Sequence, residues 1–259
     1  MHKSDQIDIE TYLERINYSG SLLPTAKTLQ DLQIAHLMAV PFENLSIHYG
    51  QPIILDDKAL FDKIVKQRRG GFCYELNGLF AALLRALGFN VAMLSAQVAK
   101  EEGGFGPDFD HMTLMVSLEQ RWLIDVGFGD TFREPLLLDN RDIQKQGKRT
   151  YKIKKDDDTH LVLLERRHEE DWQSQYRFSL QPYTYADYEE MCHYHQTSPR
   201  SHFTQKRICS MATPDGRITL EEKRLIITYD YSERQERALI SEEEYLVLLR
   251  KYFKIAMII

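Results

Sequence analysis

The sequence predicts an α+β protein in three parts: a helical bundle over residues 1–89, an antiparallel β-barrel over 90–196 and a mixed α/β part over 197–259. Three observations carry this. Apolar residues recur at spacings of three and four through the first ninety residues. From about residue 90 the period changes to two, and turn signals such as KKDDDTH separate the runs. The last sixty residues show both patterns.

The helices come first. DIETYLERINY and TAKTLQDLQIAHLMAV are amphipathic, and KALFDKIVKQRRGG follows, closed by Gly70 and Gly71. The next helix carries Leu76, Leu79, Phe80, Leu83, Leu84 and Leu87 as one apolar stripe, with Gly88 as its stop. The strands of the central part are NVAMLSAQVAK, HMTLMVSLEQ, RWLIDVGFGD, TYKIKK, HLVLLERR and QYRFSLQPY. Their short spacing suggests a barrel or a strongly bent sheet. In the last part RLIITYD reads as a strand and SEEEYLVLLRKYFKI as a helix, with Ser241 and Glu244 forming a capping box.

Composition narrows the function classes. At 43% hydrophobic, the chain of 259 residues supports a sizeable core. A net charge of −6 argues against a nucleic-acid partner. An anionic ligand therefore needs a local basic patch or a helix N-terminus. The first ten residues hold no apolar signal core, and Arg85 interrupts the best membrane-length candidate, so no membrane association is expected. Three cysteines, Cys73, Cys192 and Cys209, fit free thiols in a reducing cytoplasm.

Cys73 follows two glycines at the predicted first turn of a helix. A helix N-terminus lowers a thiol's pKa, and a neighbouring histidine lowers it further. Free backbone N–H groups there suit a developing oxyanion. Position alone leaves a buried structural cysteine as an equal reading. The strands HMTLMVSL and RWLIDVGF add the other two groups. Their apolar residues fall at even positions, so a hairpin that shares that face needs an odd-length loop or a bulge near Glu119. The same parity places His111 and Asp125 together on the opposite face. A three-residue loop sets Thr113 opposite Asp125 and His111 diagonal to it, roughly 7–8 Å away at the backbone and within reach of an imidazole. A carboxylate inside LIDVGF needs a partner if buried. Cysteine, histidine and acid then form a general-base arrangement for a thiol nucleophile, whose ion pair would keep Cys73 reactive below neutrality.

VPFENL at 40–45, RGGFCYELN at 69–77, His111 and DVGFG at 125–129 together make a specific pattern. The chain resembles the arylamine N-acetyltransferases, as a bacterial member, over essentially its whole length. The resemblance implies a helical bundle, a β-barrel and an α/β lid, with a papain-like Cys-His-Asp site. It implies ping-pong acetyl transfer from acetyl-CoA, as co-substrate, through a Cys73 thioester to an arylamine, arylhydroxylamine or hydrazine. His111 is then base and acid, and Asp125 orients it. A role in xenobiotic metabolism goes with the family.

Other positions follow from the resemblance. Glu43 is expected to pair with Arg69 and brace the active-site loop, unless the pair is a surface bridge. Phe42 and Phe128 resemble aromatic walls of an amine pocket, although plain core packing uses the same residues. Gly104 and Phe105, in the glycine-rich GGFGPDFDH, suit close approach of pantetheine if that segment is more than a connecting loop. Arg200 and His202, in TSPRSHF, suit coenzyme phosphates. Cys192, His193, His195 and His202 offer soft ligands, but zinc sites pair their ligand motifs at two places, so no metal is expected. Oligomeric state is not legible. Two other readings remain at this level: a transglutaminase-like or papain-like thiol hydrolase, and a binding module on the same scaffold.

Overall fold

The computed structural model describes residues 7–167, 170–229 and 233–256. The N-terminal part contains α1 (Ile9–Arg15), α2 (Ala26–Ala39), the two-residue strand β1 (Phe42–Glu43), α3 (Leu45–His48), α4 (Asp57–Phe61) and α5 (Cys73–Ala86). Asp8, Thr25 and Asp56 cap α1, α2 and α4 by accepting first-turn N–H groups. The helix predicted to run to Gly71 instead passes through a π-helical turn over Asp62–Lys66 and stops. Arg15 packs against this turn. Its buried guanidinium donates to the carbonyls of Ile64 in that turn, of Ala39 at the end of α2 and of Arg69, at 3.0, 2.7 and 3.1 Å.

Every residue of α5 from Cys73 to Leu84 is buried, not only the predicted stripe. A helix apolar or satisfied all round belongs at the centre of a molecule, and here it packs against α1, α4 and the barrel strands. Its polar residues Glu75 and Asn77 are therefore obliged to find partners.

The barrel strands are β2 (Asn90–Val98), β3 (His111–Ser117), β4 (Arg121–Ile124), β5 (Leu136–Leu137), β6 (Gln144–Gln146), β7 (Arg149–Lys155), β8 (His160–Arg167) and β9 (Gln173–Tyr183). Their order is β5-β4-β3-β2-β9-β8-β7-β6, with every neighbouring pair antiparallel. The two ends of this sheet are joined by side chains. Gln144 accepts from the Leu137 N–H at 2.8 Å and donates to its carbonyl at 3.0 Å. Gln146 accepts from the N–H groups of Arg133 and Glu134 at 2.9 and 3.1 Å and donates to the Glu134 carbonyl at 2.7 Å. A glutamine amide has the donor and acceptor of a peptide group, so two glutamines stand in for a missing ladder and nearly close the barrel. Leu94, Phe132, Leu163, Tyr176 and Phe178 are among the residues that fill it.

The remaining elements are α6 (Tyr185–Thr197), α7 (His202–Gln205), β10 (Ile208–Thr213), β11 (Gly216–Glu221), β12 (Arg224–Tyr229), β13 (Glu233–Ala238) and α8 (Glu242–Phe253). Ser241 caps α8 by accepting from Glu244 N–H, while the Glu244 carboxylate accepts from Ile240 rather than from Ser241. Two segments cross the expected boundaries. Strand β1 leaves the helical part and pairs with β10, Phe42 opposite Ser210, so the second sheet runs β1-β10-β11-β12-β13. Helix α6, unread in the sequence, sends Tyr188 and Cys192 into the core shared with α5. Its start was legible in Thr184 and Asp187, whose carboxylate accepts from the Thr184 N–H at 2.7 Å.

Candidate active site

Strands β3 and β4 pair with Leu114 opposite Ile124 and Ser117 opposite Arg121. Residues 118–120 form the connection, so the loop has the odd length that the parity of the two strands demands. Continuing that register puts position 113 opposite 125, with His111 diagonal. His111 Nε2 lies 2.7 Å from Asp125 Oδ2, and both side chains are buried, at 3% and 0% exposure. That contact leaves Nδ1 as the ring nitrogen for proton transfer. The ring is held edge-on by Phe128 at 5.1 Å and tilted against Tyr176 at 5.3 Å between centroids.

The buried Asp125 carboxylate is fully engaged. Its Oδ1 accepts from Asn77 Nδ2 and from the Gly127 N–H, each at 2.9 Å. Asn77 is the group that sequence reading missed. It sits four residues after Cys73 on α5, one turn along the same face. It also donates to the Met112 carbonyl at 2.6 Å and accepts from the Val126 N–H at 2.9 Å. One amide thus binds the cysteine helix to both strands that carry His111 and Asp125. The available signal was a polar residue at that spacing in an otherwise apolar run.

Cys73 is the first residue of α5, after Phe72 at the N-cap, and is buried. The Glu75 carboxylate accepts from the Phe72 N–H at 3.1 Å and fixes that turn. Burial pushes the thiol well above its ordinary range. The backbone N–H of Met112, next to His111, pulls it back, while the carboxylates of Asp110 and Asp125 push it further up. Desolvation thus opposes the ionisation that a helix N-terminus favours. An isolated thiolate is therefore disfavoured. Packing brings the strands against the cysteine: a Cβ on Gly127 would lie 2.8 Å from Cys73 Cα and 2.7 Å from Asn77 Nδ2.

A buried charge network lies behind this turn. Arg69 Nε donates to Glu43 Oε1 at 2.9 Å, and Glu43 Oε2 accepts from Leu45 N–H at 2.6 Å. Lys63 bonds Glu75 at 2.6 Å and stands 4.0 Å from Glu43. Burial raises the Glu43 pKa, but Lys63 and Arg69 outweigh it and hold the carboxyl below its usual range. With no such balance, burial leaves Glu75 above its range despite Lys63. The pair Glu43–Arg69 is therefore interior, not a surface bridge.

The aromatic pair divides. Phe128 stands against the His111 ring, whereas Phe42 contacts Phe203, 6.1 Å away, and Phe203 packs on Phe72 at 5.4 Å. A cavity of about 760 Å³ opens beside Asp110 and is lined by Lys100, Gly106, His195, Arg200 and His202, with Glu101 and Glu102 at its rim. Gly104 and Phe105 do not line it. They belong to an ordered turn: the Lys100 N–H donates to the Gly104 carbonyl, Gly103 and Gly104 take φ of +95° and +77°, and Phe105 bridges Ala99. Gly106 and Pro107 form the wall instead. Arg207 is committed to Glu242 at 2.6 and 2.7 Å. The proposed soft ligands face different partners. Cys192 accepts from Gln196, and His195 contacts Ser201 at 3.0 Å and Asp110 at 3.3 Å. Among the described residues no three or more His, Cys, Asp or Glu converge as a metal site. Cys192 and Cys209 are free and buried, and burial lifts the Cys192 thiol to about 12.

A family model described as N-acetyltransferase matches residues 25–258. The chain is 34% identical to the arylamine N-acetyltransferase pineal gland isozyme NAT-3 of Gallus gallus, over 97% of this chain and 95% of that one. The chain belongs to the arylamine N-acetyltransferase family. It is thus an acyltransferase by descent. Its fold overlays the arylamine N-acetyltransferase structure from Salmonella typhimurium with a TM-score of 0.90 at 31% identity, covering 96% of this chain and 92% of that one. The Mycobacterium marinum arylamine N-acetyltransferase in complex with CoA gives 0.88 at 33% identity, covering 96% and 93%. Among the described residues of this family member, no helix is long and apolar enough to cross a membrane.

Proposed function

We propose that the chain transfers acetyl from acetyl-CoA to an arylamine, arylhydroxylamine or hydrazine by a ping-pong route through Cys73. The observation that carries this is the buried His111–Asp125 contact of 2.7 Å, tied by Asn77 to the helix that begins with Cys73. His111 takes the thiol proton on Nδ1, and Asp125 stabilises the imidazolium. The sulfur attacks the acetyl carbonyl, a thioester forms on Cys73, and the proton passes to the departing CoA thiolate. In the second half His111 takes a proton from the attacking amine, whose acetylation restores the thiol. In this division the helical part supplies the nucleophile, the barrel supplies base and acid, and the C-terminal part serves as lid. Arylamines are weak bases and neutral at physiological pH, which suits apolar walls such as Phe128 and Phe42.

The 760 Å³ cavity suits the coenzyme. Its donors, Lys100, Arg200 and His202, match phosphate groups, and Asp110 links it to His111 along the chain. Gly104 and Phe105 shape the turn that forms its rim. The cytoplasm, with its acetyl-CoA and reduced thiols, is the compartment this chemistry requires. Intact-mass analysis after mixing with acetyl-CoA tests the reading. One acetyl adduct, lost on Cys73→Ala and discharged by an arylamine, is expected. Absence of the adduct together with cleavage of peptide esters would overturn it in favour of a thiol hydrolase.

A further inference from the structure

Three of the four sheet edges in the described residues are covered. Strand β1 is bridged by Gly71, and β5 and β6 are joined through Gln144 and Gln146. Strand β13 pairs with β12 on one side only, and all six of its residues, Glu233 to Ala238, are exposed. An open edge is a template for another strand.

The charges on that edge have a specific order. Glu233, Arg234, Gln235, Glu236 and Arg237 can be laid antiparallel on a second copy in several registers. A two-fold axis through Gln235 sets Glu233 opposite Arg237 and Arg234 opposite Glu236 in both copies, with no like charges opposed. Half-residue shifts are barred by the ladder itself, because they set an outward-pointing backbone group opposite one turned toward β12, so only whole-residue shifts compete. A full step either way opposes Glu236 or Arg234 to itself. Opposite charges directly across a ladder stabilise it and like charges destabilise it.

We propose that β13 is a self-association edge, pairing antiparallel with β13 of a second copy about Gln235 to make one continuous ten-stranded sheet across a two-fold axis. Such a contact is isologous and closes at two subunits. In the free chain these charges are engaged locally: Arg234 and Arg224 with Glu236, Arg237 with Glu244, and Gln235 with Glu233. Exposed pairs of this kind contribute little, so giving them up costs little, and the new ladder adds backbone bonds. The two large apolar side chains that flank the edge are also exposed: Tyr229, opposite Glu233, and Ile240, at 91% exposure. The two-fold arrangement brings Ile240 of one copy to the same end of the seam as Tyr229 of the other. A seam of one strand pair is small, so the dimer is dependent on concentration and salt.

The test is sedimentation of the full chain and of two variants across a wide concentration range. The acidic variant carries Arg234→Glu and Arg237→Glu, and the basic variant carries Glu233→Arg and Glu236→Arg. Wild type is expected to dimerise, each variant alone to be monomeric, and an equal mixture to form a heterodimer. Acetyl loading of Cys73 in each variant confirms that it is folded. A monomeric wild type at every concentration would show that the charges guard the edge against pairing, and would overturn the proposal. So would dimerisation of either variant alone. Gln235→Cys checks the register independently: oxidation should cross-link two copies, whereas Arg237→Cys should not. The reverse result would also sink it.

Discussion

The seam between α5 and the β3–β4 hairpin and the wall of the nearby cavity use similar residues in opposite ways. In the seam, His111 and Asp125 are buried and each functional oxygen of the carboxylate has a named partner. In the wall, Arg200 and His202 are exposed and solvated beside Glu101 and Glu102. The difference teaches where geometry does the chemistry and where charge only attracts. Desolvation strengthens each contact in the seam and makes each loss expensive. Water and salt dilute each contact in the wall.

Asp125→Asn should break the seam most severely. The Asn77 amide and the Gly127 N–H donate toward Oδ1, so the new side chain must put its carbonyl there. Its NH₂ then faces His111 Nε2 and donates to it, and the ring must carry its own proton on Nδ1. That tautomer cannot accept a proton from Cys73. Acylation should fall by about 10³–10⁴-fold with the fold retained. Near-normal acetyl transfer would remove Asp125 from its orienting role.

Much of this seam could be read from parity. The even apolar positions of β3 and β4 fixed which face His111 and Asp125 share, because side-chain period in a strand is two. What could not be read depends on pairing between distant segments. Strand β1 has two residues and no alternation to detect, and it exists because β10 is beside it. The closure by Gln144 and Gln146 leaves no pattern, since glutamine is ordinary on any surface. Asn77 required knowing that α5 is buried on every side. The burial that opposes a lone Cys73 thiolate was not legible either, because it is set by all three parts and is not a local property.

The support behind the seam breaks next. Glu43→Gln removes the buried charge at the centre of this network and leaves Arg69 facing an amide. A loss of about 3–5 kcal/mol in unfolding free energy is expected. Because the Glu43 pKa is lowered in the folded protein, its contribution is present above the unfolded carboxyl pKa and disappears as pH falls through the folded value. Denaturant unfolding from neutral to acidic pH should therefore show wild type and Glu43→Gln converging on the acid side. A constant gap across that range would contradict the charge argument.

The thiol itself sharpens the contrast. Burial disfavours a lone thiolate, so Cys73 should react only through its pair with His111. Alkylation by iodoacetamide should remain fast and selective for Cys73 below neutrality. In Asp125→Asn the remaining reactivity should rise only toward high pH. If wild-type Cys73 follows an ordinary thiol titration near about 8.5, the pair is absent.

The wall should yield least. Arg200→Ala and His202→Ala remove exposed donors from the proposed phosphate side and touch neither Asp125 nor Asn77. Exposed ion pairs contribute about 0.2–1 kcal/mol, so KM for acetyl-CoA should rise only a few-fold, with kcat for the second, amine-dependent half unchanged. The effect should shrink as ionic strength rises, because the charges are separated from solvent by nothing. A loss of kcat equal to the change in kcat/KM, insensitive to salt, would instead place these residues with the seam. It would mean that Asp110, which adjoins His111 and lines the cavity, transmits the wall's charge to the His111 ring.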